Sequence, residues 1–438
     1  MSERAFLVGV DVGGTFTDLL AYDAADGRLL SAKVPSLPGA QWRGVLDALG
    51  ELGISPARIT AFVHGTTIAT NALLERAGAR TALVTTAGFR DVLEIGKCRR
   101  LVGGLFDTAW QRPAPIVPRD RRLEVRERIA ADGSVVQALD VDDVDTIAAR
   151  LRELGVESVA VTFVNSYVSA DHERACAARL HDELGGAPVS ISAELAPERG
   201  EFERTSTCVL NAYLTPIMTS YLDTLENELV RRGVDAPVSI MGSNGGAMTL
   251  AEAARRCAGT FLSGPVGGVT GALRVAAAAG ARDVITFDMG GTSTDVSLAR
   301  DLAPRMRHDN QIDAYPLLMP QLDIHTIGAG GGSIVWRQPD GTLAVGPRSA
   351  GAVPGPACYA RGGTAPTISD ANLLLGRLAV GRPLSGGLVL DHARARDAFA
   401  TLAETLGAGD VVALAAGALG IAVARMAGAV REVSVHRG

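Results

Sequence analysis

A chain of 438 residues with a formal net charge of −6, 47% hydrophobic and 21% charged residues, is long enough for more than one globular domain. The acidic balance and the 4% of aromatic residues exclude a nucleic-acid or anionic-membrane footprint and broad base-stacking platforms. Lysine is confined to Lys33 and Lys97, and neither stands in G-x-x-x-x-G-K-[ST], so a P-loop is excluded and Schiff-base chemistry disfavoured. The five cysteines are scattered without C-x-x-C and read as reduced, buried thiols. No leader-like apolar region opens the chain. The longest apolar run, 411–424, is too short to span a bilayer and reads as a buried helix. The expected location is cytoplasmic, with no nucleic-acid and no membrane partner.

Strands are expected at 5–11 and 16–23 on either side of a Gly-Gly turn, then at 28–34 after the Asp26-Gly27 turn, with a helix over 39–53. The stretch 59–86 reads as a strand, a His64-Gly65-Thr66-Thr67 turn, a helix ending at Gly78, and a second strand. Pro113, Pro115 and Pro118 among arginines make 99–122 an irregular surface loop. Helices at 140–155 and from Asp171 bracket the buried strand VESVAVTFV. A domain boundary is expected within 190–205, giving an α/β domain over 1–200 and a second over 201–438. The second half then repeats the opening: TFDMGGTSTDVSL matches GVDVGGTFTDLL.

A Gly-Gly turn after a buried strand aims successive backbone N–H groups into one concavity that no Cβ blocks. Gly13 and Gly14, and in the second copy Gly290 and Gly291, provide that nest; Thr15, Thr17, Thr292 and Ser293 add hydroxyl donors. Such a nest suits phosphate. The leading acids Asp11 and Asp288 would repel phosphate unless a divalent cation lies between them or one takes a proton. Two copies in two α/β halves imply hairpins from two domains gripping the β- and γ-phosphates of a nucleotide, with Mg²⁺ or Mn²⁺ bridging.

Asp323 and His325, two apart on a strand, share a face and are placed to orient each other, ligate a metal, or act as acid and base. The following loop, Gly328, Gly330, Gly331 and Gly332, offers unblocked N–H groups for the nucleotide. Ser243 and Asn244, in a glycine turn at a strand end, are expected to line the substrate crevice. Asp370 reads as a helix cap.

The motifs VDVGGTFTD, HGTTIATNALLER, PERGEFERTSTCVLNAYL, SNGGAM, LSGPVGG, FDMGGTSTDVSL, LDIHTIGAGGGSI and GPACYARGGTAPTISDANLLLGRL resemble, in order and over nearly the whole chain, the hydantoinase A / 5-oxoprolinase family. The paired hairpins are similar to those of the actin, heat-shock chaperone and sugar-kinase superfamily. The resemblance implies an α/β, two-domain actin-like (ribonuclease H-like) ATPase fold with duplicated phosphate-binding hairpins. It implies ATP and Mg²⁺ as cofactors and an ATP-dependent hydrolase of a cyclic amide, of hydantoin or 5-oxoproline type, with a hydantoinase B-like partner subunit. Ketone carboxylation, small-molecule phosphorylation and a non-catalytic nucleotide-gated module are the alternatives. It makes His64, with Asp11, Asp288 and His325, a catalytic candidate. Thr66 and Thr67 become substrate contacts, and Asp323 a metal ligand beside Asp11 and Asp288. Three departures stand out. Family members carry a glycine-rich FGGAGP-type motif soon after the position of Gly438. They have a histidine where this chain has Asn165, and a different KCRRLVGGLFD stretch.

Overall fold

A computed structural model describes residues 6–14, 16–37, 39–98, 111, 113–351, 353–384 and 387–436. Thr15 and most of the irregular stretch 99–122 lie outside the described residues.

The alternation in FLVGVDV and FTDLLAYD produces strands β1 (Phe6–Val12) and β2 (Phe16–Asp23), each burying every second residue. They pair antiparallel with Asp11 opposite Asp18. β3 (Leu29–Pro35) follows on β2, and helix α1 (Gln41–Glu51), with Val45, Leu46 and Leu49 buried, packs on the three strands. β4 (Ile59–Thr66) flanks β1 on its other side. After α2 (Ile68–Leu74) the pairing becomes parallel. β5 (Thr81–Thr86) lies between β6 (Arg122–Val125) and β7 (Ser158–Thr162). Every residue of β5 and β7 is buried, as strands covered on both faces require. α3 (Val141–Glu153) and α4 (Asp171–Glu183) cover the face of Ala82, Val84, Val159 and Val161. β8 (Val189–Ile191) extends the sheet beside β7. α5 (Glu201–Arg231) covers the opposite face through Cys208, Val209 and Ala212 against Leu83 and Ala160.

β9 (Val238–Met241) and β10 (Ala247–Thr249) make a short hairpin. α6 (Ser263–Ala278) then leads into the second copy, β11 (Val284–Met289) and β12 (Thr294–Arg300), antiparallel with Asp288 opposite Asp295. β13 (Ile324–Ile327) pairs with β12. β14 (Ser333–Arg337) and β15 (Leu343–Ser349) share one core with α7 (Ile368–Leu374), α8 (His392–Leu406) and α9 (Val411–Arg431). α7 opens with a capping box in which Thr367 is the N-cap and the buried Asp370 its reciprocal partner. Asp370 thus serves the cap from the third helical position.

The chain folds into two interleaved compact units. The first comprises 1–65, 264–305 and 322–438; the second comprises 66–263 and 306–321. Both glycine-paired hairpins belong to the first unit, because the chain returns to it after Ser263. The expected division at 190–205 follows the sequence, whereas these units do not.

α9 corrects the expectation of a short buried helix. It runs seven residues past Ala424, and its buried positions are only Ala415, Ala418, Ala422 and Ala429. By length and composition alone, Val411–His436 would also suffice to cross a membrane. Val412 and Val423 are exposed because the core beneath α9 reaches one alanine stripe of it.

The second unit is locked by a buried charge network. Arg204 and Glu173 are wholly enclosed. Arg204 Nη2 donates to the Phe163 carbonyl at 2.6 Å, and Glu173 Oε1 accepts from the Phe163 N–H at 2.8 Å. Burial pushes the Glu173 carboxyl up, against hydrogen bonds from Ser192, Ala193 and Phe163 and the charge of Arg204. Asn165, nearby, has φ of 59°, a left-handed conformation that asparagine tolerates. Its side chain donates to the Ile129 carbonyl at 2.9 Å, which fits a turn-forming role.

Gly78 marks the tightest backbone approach to α5, since a Cβ there would lie 2.1 Å from the Tyr213 ring. Gly78→Ala is expected to destabilise the protein by about 1–3 kcal/mol, the usual cost of overpacking. Urea unfolding would register this as a lower midpoint, and an unchanged midpoint would contradict the packing described.

Candidate functional site

The two turns are built alike. Gly13 N–H donates to the Phe16 carbonyl at 3.0 Å, and Gly290 N–H to the Ser293 carbonyl at 2.9 Å. A Cβ at Gly14 or Gly291 would meet nothing within 4 Å, so both turns present open backbone. Gly14, Gly291 and Thr292 are exposed and Ser293 half-buried.

Each turn also carries an unfavourable feature. Asp11 faces Asp18, and Asp288 faces Asp295, directly across an antiparallel pair. Like charges so placed repel. The first pair is eased by Lys33, whose Nζ lies 2.6 and 2.5 Å from the Asp18 carboxylate oxygens. The second is eased by Thr326, whose hydroxyl donates to Asp295 at 2.5 Å. The relief is incomplete. Burial, then the charges of Asp18 and Asp288, push the Asp11 carboxyl up to about 6, with Lys33 opposing. Burial and Asp288 also raise Asp295, against the Thr326 hydrogen bond. Asp288 therefore acts on the leading acid of the other hairpin as well as on its own partner.

Asp11 stands at an exposed strand position, yet its carboxylate is enclosed by two glycines. A Cβ on Gly264, at the start of α6, would come within 2.6 Å of Asp11 Oδ1, and one on Gly65 within 3.3 Å. His64, one residue earlier on β4, is wholly buried, which holds its imidazole down at about 4 and hence neutral at pH 7. It hydrogen-bonds the backbone of Val10, the residue before Asp11. His64 thus fastens β1 from behind, next to Asp11. Sequence reasoning missed Lys33, Gly65 and Gly264 as neighbours of the acid. The rarity of lysine was the available signal for Lys33.

Several other expectations change. The N–H groups of Gly331 and Gly332 donate to the carbonyls of Gly290 and Gly291, at 3.0 and 2.6 Å. That of Gly330 donates to Ser333 Oγ at 2.8 Å. A Cβ on Gly330 would lie 2.8 Å from the Gly290 and Gly291 backbone. This loop braces the second hairpin and has spent those donors; Gly328 packs at Pro347. Thr17 is buried, its hydroxyl 3.0 Å from Ser36 Oγ, so it is no phosphate donor. Its counterpart Thr294 is likewise buried and donates to the Ala329 carbonyl.

Thr66 is buried; its hydroxyl accepts from the Ile68 N–H. Ser263 Oγ holds both its N–H and its carbonyl, at 2.9 and 2.8 Å. Thr67 accepts from Asn71 at 3.3 Å. Ser243 is buried, with Oγ 2.7 Å from the Gly259 and Phe261 carbonyl oxygens. Asn244, exposed, closes its own turn by accepting from Gly246 N–H at 2.9 Å. Thr66 and Ser243 are therefore structural. His325 pairs with Val296, while Thr326 pairs with Asp295. Alternation then puts His325 on the sheet face opposite Asp288 and Asp295, which removes it from their chemistry.

Among the described residues no three His, Cys, Asp or Glu side chains gather as a metal cluster. Asp323 accordingly does not join Asp11 and Asp288. A cation here would rest on two protein carboxylates and take its remaining oxygens from elsewhere, which suits Mg²⁺ in a phosphate complex.

Two family models match the chain: Hydantoinase/oxoprolinase N-terminal region over residues 7–184 and Hydantoinase/oxoprolinase over 204–438. Caprolactamase subunit alpha of Pseudomonas jessenii is 36% identical over 447 residues, covering 100% of this chain and 64% of that protein. The crystal structure of the ATP-dependent caprolactamase from the same organism aligns with a TM-score of 0.82 at 36% identity, over 98% of this chain and 63% of that one. The nucleotide-free acetone carboxylase structure aligns with a TM-score of 0.85 at 28% identity, over 99% and 64%. The chain thus spans less than two thirds of the length of these relatives.

The raised Asp11 carboxyl has a sign that can be checked. It ionises near 3.8 in the unfolded chain and at about 6 in the fold. The folded state holds the extra proton between those values, so the stabilisation present below about 4 is lost as pH rises through about 6. Asp11→Asn should therefore melt higher than the parent above pH 6 and nearly level with it below pH 4. Equal melting temperatures across the range would contradict this. Gly264→Ala should displace the Asp11 carboxylate and abolish that pH-dependence while leaving a folded protein by circular dichroism.

Proposed function

The chain belongs to the hydantoinase/oxoprolinase family, and on that premise we propose that it is the nucleotide-binding part of an ATP-dependent enzyme that hydrolyses a cyclic amide of hydantoin or 5-oxoproline type. The observation that carries the reading is the electrostatic coupling of Asp11 to Asp288 beside two open glycine turns. Repelling carboxylates next to unblocked N–H groups make a place that demands a cation on one side and accepts anions on the other.

Asp11 and Asp288 would hold Mg²⁺ or Mn²⁺, and the turns at Gly13–Gly14 and Gly290–Ser293 would receive the phosphates of ATP. Bound Mg-ATP supplies the phosphoryl group that makes an amide oxygen a competent leaving group. The chain's own residues supply position and field. Lys33 holds the Asp18 carboxylate in place opposite Asp11 through two short contacts. Gly65 and Gly264 leave the Asp11 carboxylate its seat, and the Gly330–Gly332 loop fixes the second turn through its carbonyls. A preorganised turn costs no rearrangement as charge develops. An actin-like arrangement of duplicated hairpins, a cytoplasmic location and a hydantoinase B-like partner subunit complete the proposal. The likeness to the acetone carboxylase structure favours ketone carboxylation as the second reading.

The test is release of ADP and phosphate by the chain with Mg²⁺, in the presence of hydantoin, 5-oxoproline, caprolactam or acetone, with and without a hydantoinase B-like subunit. The expected result is ADP release dependent on a cyclic amide and matched by ring-opened product. Asp11→Asn and Asp288→Asn should each lower it by roughly 10²-fold or more. Ring opening without ATP, or a stable phosphorylated product, would overturn the reading.

A further inference from the structure

The parallel sheet of the second unit ends at β8, and a cavity of about 460 Å³ lies at that edge. Its walls come from both layers of the unit. His181 of α4 stands on one side of the sheet, and Asn211, Thr215 and Thr219 of α5 stand on the other. Val189, Ser190 and Ile191 form the inner wall, and the short helix Leu250–Arg255 closes the outer one. The spacing of four residues puts Asn211, Thr215 and Thr219 on one stripe of α5. Asn211 ties the walls together. Its Nδ2 donates to Ser190 Oγ at 3.0 Å and to the Arg255 carbonyl at 2.8 Å, and its Oδ1 accepts from the Ala258 N–H at 3.1 Å. A preformed cavity of this size suits a small molecule. None of these residues belongs to the paired hairpins, which lie in the first unit.

The edge strand brings backbone groups to the cavity. Val189 lies opposite Val159 in the parallel register, and the Val159 N–H donates to the Pro188 carbonyl at 3.0 Å. That pattern commits residues 188 and 190 to β7, so the N–H and C=O of Val189 point to the open edge. One donor and one acceptor on one extended residue are complemented by a molecule with an acceptor and a donor on one carbon. The carboxylate and ammonium of an α-amino acid meet that description. The rim carries matching charges. Glu252 is shared by two guanidiniums, Arg255 in direct contact and Arg256 with Nε at 3.8 Å, which leaves positive charge for a carboxylate. Glu194 lines the same cavity. His181 Nδ1 lies 3.0 Å from the Ala187 carbonyl and donates to it, which leaves Nε2 as an acceptor for an ammonium.

We propose that this cavity is a binding site for a free α-amino acid. Both of its main-chain groups pair with Val189, and Arg256 meets its carboxylate. A polypeptide strand fits less well, because this edge is already walled by Glu252–Arg256, tied in through the Arg255 carbonyl. The inference stands apart from the proposed reaction, since it concerns a second site in the other unit.

The probes are L-leucine, L-glutamate and L-lysine, each added at millimolar concentration to the full 438-residue chain. At least one should slow hydrogen exchange across residues 189–191 by about fivefold or more. Propionate and propylamine, which carry one of the two groups each, should protect less. Ala254→Phe, which fills the cavity from the short helix, should remove the protection while leaving the melting curve of the chain alone unchanged. Arg256→Gln provides a second variant with the same expectation. No protection from any of the three amino acids would overturn the proposal. So would equal protection from propionate or propylamine, or protection that survives Ala254→Phe.

Discussion

Repulsion among carboxylates that face one another is the constraint on which the rest of the candidate site depends. Each hairpin sets an aspartate opposite another aspartate on an antiparallel pair, and each pays for it locally. The fold meets this cost in two ways. The first hairpin borrows Lys33 from the next strand, and the second borrows a hydroxyl from Thr326. Neither removes the mutual effect of Asp11 and Asp288, which leaves Asp11 ready to exchange a proton or a cation at neutral pH.

The glycines divide into two kinds with different work. Gly14 and Gly291 face open space and keep backbone free for an anion. Gly65, Gly264, Gly330 and Gly332 are tight against other atoms, and a methyl group on any of them would push a carboxylate or a turn out of place. The second kind positions the first. Gly331 and Gly332 turn their N–H groups onto the carbonyls of the second hairpin, and Gly330 turns its own onto Ser333 Oγ, so the second turn is braced from behind.

Much of this was legible in the sequence. Period-2 alternation gave β1 and β2, a continuous apolar run gave the buried strand β7, and the repeated Asp-x-Gly-Gly-Thr located both turns. A list of residue types does not say which donors are already spent, which face a strand presents or how deep a side chain lies. Thr17, Thr66 and Ser243 look like ligand hydroxyls until their burial and partners are known. His325 looked like a partner for the acids, and strand parity put it on the other face. His64 reads as catalytic by type and is held neutral by burial. α9 reads as buried from its composition, yet only Ala415, Ala418, Ala422 and Ala429 of it are buried.

The central claim is that Asp11 and Asp288 serve one shared cation at the phosphate end of one nucleotide. A double-mutant cycle on Mg-ATP affinity tests it directly, using the parent chain, Asp11→Asn, Asp288→Asn and the double variant by titration calorimetry. If the acids share a cation, the second substitution adds little once the first is made, and the losses fall well short of additive. Losses that add to within about 0.5 kcal/mol, as independent sites do, would contradict the account.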